Sequence, residues 1–132
     1  MSKHPLIAVV DDDASMREAL QRLLRLEGFR TAAFASAEDF LHAGQLQETA
    51  CLIVDVRLPR MSGLELQRRL ATTNASIPLI FITAHGDEAA RAQALRAGVV
   101  DFLYKPFRHE ALLRAIGSAL GSSRHGEEGV QG

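Results

Sequence analysis

The sequence predicts an α/β fold, a doubly wound parallel sheet of five strands with helices on both faces. Three observations carry that reading. Short apolar runs alternate five times with segments of helical apolar spacing. Three of the runs are apolar throughout, as strands buried on both faces are. Four of the five stop at a polar residue of a distinct kind. Strict strand–helix alternation with short links implies right-handed crossovers, and these lay helices against both faces of the sheet.

In chain order, Leu6-Ile-Ala-Val-Val10 is a buried strand that ends at Asp11-Asp12-Asp13. Met16, Ala19, Leu20, Leu23 and Leu24 then fall on one helical stripe, which Gly28 stops as a left-handed residue. Residues 29–34 form a weaker, partly alternating strand. Ser36-Ala-Glu-Asp39 resembles a capping box with Asp in place of Glu and opens a short helix bearing Phe40 and Leu41. A central strand follows, Leu52-Ile-Val-Asp55. After its loop, Ser62-Gly-Leu-Glu65 is a full capping box for a helix to about Thr73. Residues 77–83 are again a strand, ending in the Thr83 hydroxyl. Residues 87–97 read as an Ala-rich helix closed by Gly98, and residues 99–104 as the last strand, ending at Lys105-Pro106-Phe107. Leu112, Leu113, Ile116 and Leu120 mark a final helix face. From Gly121 to Gly132 the composition is polar and Gly-rich, which reads as a disordered tail.

A chain of 132 residues, 47% hydrophobic, is one domain with room for a full core. A net charge of −1 gives no bulk reason to expect nucleic acid or an anionic membrane as partner. The single Cys51 opens an apolar strand and reads as a buried hydrophobe. No stretch approaches the roughly 18 apolar residues of a membrane span, and residues 1–5 have no signal-like apolar core, so the expected location is cytoplasmic. His4, His42, His85, His109 and His125 fall in different segments without ligand spacing; His85 is placed to flank Thr83.

In a parallel sheet the strand ends lie along one edge, where the ligands of such folds bind. Asp11, Asp12, Asp55, Thr83 and Lys105 therefore converge there. Close carboxylates repel unless a cation sits among them. Oxygen donors without His or Cys suit a hard divalent ion, Mg²⁺. One carboxylate then remains to act, and Asp55, alone on its strand, is the natural nucleophile for a phosphoryl group. Lys105 and the Thr83 hydroxyl would serve the phosphoryl oxygens. The chain has only one other lysine, Lys3.

These residues bring a family into view. Val9-Val-Asp-Asp12, residues 53–63 around Asp55, Ile82-Thr-Ala-His-Gly-Asp87 and Ala97-Gly-Val-Val-Asp-Phe-Leu-Tyr-Lys-Pro-Phe107 resemble a response-regulator receiver domain of two-component signalling, most similar to the FixJ-type branch. The resemblance covers residues 4–120 and leaves 121–132 as tail. It implies a flavodoxin-like (βα)5 fold with strand order 2-1-3-4-5. It also implies Asp55 as the phosphorylated residue, with Mg²⁺ on Asp12, Asp55 and the Arg57 backbone carbonyl and with Asp11 acting through water. Thr83 would be the switch hydroxyl and Phe102 the aromatic that moves with it; many members carry Tyr there, so Phe102 has no phenol to complete the inward state. The Lys105–Pro106 bond would be cis.

The same resemblance implies a phosphorelay phosphoacceptor rather than an enzyme, served by a sensor histidine kinase or phosphotransfer protein. Downstream, an effector protein would read the last two helices and the strand between them. A DNA-binding effector domain would be fused if the chain is truncated, and a phosphorylation-dependent homodimer is the further option. Direct nucleic-acid or membrane binding is not expected. Three other readings compete, one of them a receiver-like protein that has lost phosphorylation, against which every expected site residue is present. An aspartyl-nucleophile phosphatase could use Asp11 and Asp13, but it leaves Asp55 idle and wants a late acidic pair. A cofactor binder of similar architecture would want a phosphate loop where this chain has three acids.

Overall fold

The structure is a computed structural model and describes residues 4–84 and 88–125, the side chains of 122–125 excepted. The elements are β1 (Leu6–Val10), α1 (Ala14–Leu26), β2 (Arg30–Phe34), α2 (Ala37–His42), β3 (Thr49–Asp55), α3 (Gly63–Ala71), β4 (Leu79–Thr83), α4 (Glu88–Arg96), β5 (Asp101–Tyr104) and α5 (His109–His125). All four strand pairings are parallel, and the sheet order is β2-β1-β3-β4-β5. The predicted fold class and strand order are those observed.

Side chains alternate across a strand, so each apolar run feeds two cores. Ala8, Val10, Leu52, Val54, Leu79 and Phe81 pack with Phe40 of α2, Leu66 and Leu70 of α3, and Ala90 and Ala94 of α4. Ile7, Val9, Cys51, Ile53, Ile80 and Ile82 pack with Leu20 and Leu24 of α1 and with Leu112, Ala115, Ile116 and Ala119 of α5. Each fully buried Leu or Ile contributes roughly 1.5–3 kcal/mol. The helix α4 differs from its neighbours: the residues it buries are alanines, while its Leu95 is 43% exposed. Burial pushes the Cys51 thiol up to about 12, consistent with an inert core residue. Among the described residues no helix is long and apolar enough to cross a membrane.

Helix ends follow the local chemistry. Asp13 caps α1, its Oδ1 accepting the Ser15 and Met16 amides at 2.9 and 3.4 Å. Ser62 and Glu65 close a reciprocal box on α3, and Ser36 accepts the Asp39 amide at 3.1 Å. Gly28 and Gly98 stop α1 and α4 at φ of 92° and 93°.

Several boundaries move from those read in the sequence. The strand placed at 77–83 starts at Leu79, and the Pro78 carbonyl accepts the Leu52 amide at 2.9 Å just before it. Proline has no N–H to give a ladder. The last strand starts at Asp101 rather than 99, because the Val99 amide is engaged by the end of α4, on the Ala94 carbonyl. The helix after Ser62 ends at Ala71, capped at Thr72. The final helix runs on to His125, so residues 121–125, read as tail, are helical; once a helix is nucleated each further residue adds a backbone bond. The expected helix start at 87, the role of His85 and the tail from 126 lie outside the described residues.

Gly63 opens α3 directly beneath the site strand. A Cβ there would stand 2.8 Å from the Asp55 carbonyl oxygen and 2.9 Å from Phe81 Cε1. Gly63→Ala is expected to lower unfolding free energy by about 1–3 kcal/mol through overpacking. Gly117→Ala, exposed in mid-α5 with open space around the added carbon, should instead raise it by about 0.5–1 kcal/mol. Urea titrations of both variants check the pair.

Candidate functional site

The carboxyl ends of β1, β3, β4 and β5 hold the polar residues singled out in the sequence. Asp11 is fully buried, Asp55 7% exposed, Thr83 1% exposed, and Asp12 lies exposed at the rim. Lys105 reaches in from the end of β5. Its Nζ donates to Asp11 Oδ2 at 3.2 Å and to Asp55 Oδ2 at 3.1 Å, bridging two acids from different strands. The Lys105 amide donates to the Thr83 carbonyl at 2.7 Å, which joins the ends of β4 and β5. The Lys105–Pro106 peptide is cis.

Asp11, Asp12 and Asp55 can each present a carboxylate oxygen so that the three atoms lie within 4.8 Å of one another. This oxygen-only set fits a hard cation such as Mg²⁺. The acids divide the work of their triplet: Asp11 faces inward, Asp12 outward, and Asp13 is spent on the α1 cap. A phosphatase pairing of Asp11 with Asp13 is thereby disfavoured.

Backbone donors orient the carboxylates. Asp55 Oδ1 accepts the Arg57 amide and Asp11 Oδ1 the Asp13 amide, each at 2.9 Å. Burial raises the Asp11 pKa, and the Asp13 amide and Lys105 only partly offset it. For Lys105, burial alone would depress the pKa, but the Asp55 hydrogen bond and the charges of Asp11 and Asp55 outweigh it and raise the value.

Phe102 is 6% exposed and lies edge-on to Phe81 at 6.0 Å and to Tyr104 at 5.5 Å. The ring is thus packed against both neighbours. The Tyr104 hydroxyl turns instead to Glu88 Oε2 of α4, at 3.4 Å.

Two residues escaped the sequence reading. Arg17 of α1 donates from Nη1 to the Asp11 carbonyl at 2.7 Å, steadying the acidic loop. Glu38 of α2 accepts the Met61 amide at 3.2 Å and pairs with Arg60 at 3.6 Å, and Arg60 holds a left-handed φ of 64°. Such a backbone state costs a side-chain-bearing residue about 1–2 kcal/mol. Hydrogen bonds from the Glu38 backbone and the Met61 amide, with Arg60 beside it, lower the Glu38 pKa. No local sequence signal marks either contact.

Comparison with known proteins shows the family. A family model described as the response regulator receiver domain matches residues 7–117. Nodulation protein W of Bradyrhizobium diazoefficiens is 45% identical over 127 residues, 96% of this chain and 56% of that protein. Response regulator protein TmoT of Ectopseudomonas mendocina is 51% identical over 116 residues, 87% of this chain and 52% of that protein. Among solved structures, FixJ-N superposes with a TM-score of 0.81 at 38% identity, covering 90% of this chain and 95% of that one. The chain spans about half the length of the curated relatives it matches.

Lys105 is the cation that offsets two of the clustered acids. With chelator present, Lys105→Ala is expected to lower unfolding free energy by roughly 1–3 kcal/mol, as for loss of charged hydrogen bonds. Asp55→Asn added to it should recover part of that loss, because one of the stranded charges is then gone. Additivity of the two substitutions within about 0.5 kcal/mol in a urea double-mutant cycle would mean that Lys105 and Asp55 are not coupled.

Proposed function

Because this chain belongs to the response regulator receiver domain family, we propose that it accepts a phosphoryl group on Asp55 from a histidine of a sensor kinase or phosphotransfer protein. The observation that carries the proposal is Lys105 bridging Asp11 and Asp55 within a three-carboxylate cluster at the carboxyl edge of the sheet. An Asp55 carboxylate oxygen would attack phosphorus as the bond to the histidine nitrogen breaks, the electron pair leaving with the imidazole. The product is a mixed acyl phosphate.

In this reading Asp12, Asp55 and the Arg57 backbone carbonyl hold Mg²⁺, with Asp11 acting through water. When bound, the ion supplies positive charge for the clustered acids and the phosphoryl oxygens. Lys105, already on Asp55, pairs with an acyl phosphate of about −1.5 to −2 where the carboxylate carried −1. The buried Thr83 hydroxyl donates to a phosphoryl oxygen, and Phe102 packs behind it. Shifting a two-state equilibrium from 1:99 to 99:1 takes about 5.5 kcal/mol. A few charge-assisted bonds of about 1.5–3 kcal/mol each are of that order.

The output surface proposed is α4, β5 and α5. It would be read by a downstream protein, by a second copy on phosphorylation, or, if the chain is part of a longer protein, by a fused DNA-binding domain. The aligned regions cover 56% and 52% of two relatives, which leaves room in those proteins for a further domain. The chain would act on its own phosphoryl group alone, without turnover of a separate substrate, and in the cytoplasm.

Intact-protein mass measured after incubation with acetyl phosphate tests the reading. One added phosphoryl group is expected that requires Mg²⁺ and is absent in Asp55→Asn; an unmodified wild type would refute it. Mg²⁺ at about 100 times its Kd should also stabilise the fold by roughly 2.7 kcal/mol, and Asp12→Ala should abolish most of that shift in a thermal melt.

A further inference from the structure

The loop joining β3 to α3 carries Arg57, whose carbonyl the proposed site uses. One end is tied to the last residue of the strand it leaves and the other to the residue just after it. The Arg57 amide donates to Asp55 Oδ1 at 2.9 Å, and the Gly63 amide donates to the Val56 carbonyl at 3.0 Å. Between these ties the backbone turns through Arg60 at φ 64°, a conformation that side-chain-bearing residues rarely hold. The loop needs a partner there, and α2 provides one.

Glu38, in the first turn of α2, is 23 residues before the amide it meets. Its Oε2 accepts the Met61 N–H at 3.2 Å, which orients the peptide immediately after the left-handed residue. Its Oε1, shielded from solvent, lies 3.6 Å from Arg60 Nη2. One carboxylate thus takes both the side chain of the strained residue and the amide that follows it. The Ser36 cap holds the helix turn from which Glu38 projects. The loop then passes to Gly63, which packs against the Asp55 carbonyl with no room for a Cβ. A shift of the Arg60–Met61 peptide would therefore be felt at the backbone flanking Asp55.

We propose that Glu38 is a positioning residue for the phosphoacceptor site: by holding the Met61 amide it sets the loop path that aims the Arg57 carbonyl, and so tunes affinity for the divalent cation. This rests on the reading of Asp55 and its neighbours as a Mg²⁺-dependent site. Glu38 touches neither the cation nor the phosphoryl group in this scheme. It acts through the loop.

The test compares wild type, Glu38→Ala and Glu38→Gln by two measurements. Amide hydrogen exchange at Met61, followed by NMR in metal-free protein, reports the hydrogen bond itself. Calorimetric titration with Mg²⁺ reports the site. Glu38→Ala is expected to speed Met61 exchange and to weaken Mg²⁺ binding about tenfold, the lower end of the effect of removing groups that orient metal ligands. Glu38→Gln keeps an oxygen acceptor and should restore most of both. A purely structural role would lower the melting temperature of Glu38→Ala and leave Mg²⁺ affinity within twofold of wild type, and that result overturns the proposal. Equal defects in the Gln and Ala variants would overturn it as well, since the bond to Met61 would then not be the agent. A wild type that binds no Mg²⁺ refutes the phosphoacceptor reading and this inference with it; wild-type binding retained in Glu38→Ala refutes the inference alone.

Discussion

Like charges held close are the constraint around which this molecule is arranged. A parallel sheet brings its strand ends to one edge, and here three of those positions carry carboxylates within a few ångströms of one another. Lys105 is the protein's own answer: one ammonium set between Asp11 and Asp55, from the strand farthest along the sheet in that direction. The bridge links β5 to β1 and β3, which do not pair with it. Any change in charge at Asp55 is therefore a change in what holds β5. Lys105 pairs with Asp11 and Asp55 and not with Asp12 in the described ion pairs, an electrostatic setting in which a divalent ion is favoured.

The parts of this arrangement that were legible in the sequence are those encoded locally. The strands β1 and β4 are buried throughout and β3 at all but Ala50, so their central residues read as apolar runs. Asp11, Asp55, Thr83 and Lys105 stand at or just beyond strand ends, and parallel topology does the rest. The misplaced boundaries were those where a neighbour, not the segment itself, decided the outcome. Pro78 offers its carbonyl to β3 but no amide to a ladder, and the Val99 amide is taken by α4. Arg17 and Glu38 were invisible for a stronger reason. Each bonds a backbone atom in a different segment, a relation with no periodicity to detect. The left-handed Arg60 was equally hidden, since turn chemistry predicts glycine or asparagine there.

These hidden contacts share a logic. The loop after β3 is anchored in part by buried Val56 and Leu58, whereas Asp11-Asp12-Asp13 after β1 has no apolar side chain, and the carboxylates and carbonyls of both must be held to fractions of an ångström for any metal or phosphoryl chemistry. Each is clamped by a charged side chain from a helix: Arg17 on the Asp11 carbonyl, Glu38 on the Met61 amide. The charged group thus gains a fixed partner and the loop gains a rigid anchor.

The alanine face of α4 has a mechanical meaning. Close-packed cores resist gradual deformation because large side chains interlock, and moving one means vacating a socket. Beneath α4 there are few sockets: Ala90 and Ala94 present a nearly smooth surface, and its leucine points outward. A helix packed through alanines meets fewer interlocking barriers to shear than one packed through leucines, as α3 is through Leu66 and Leu70. The alanine face of α4 lies in the same core as Phe102 and the partly buried Tyr104.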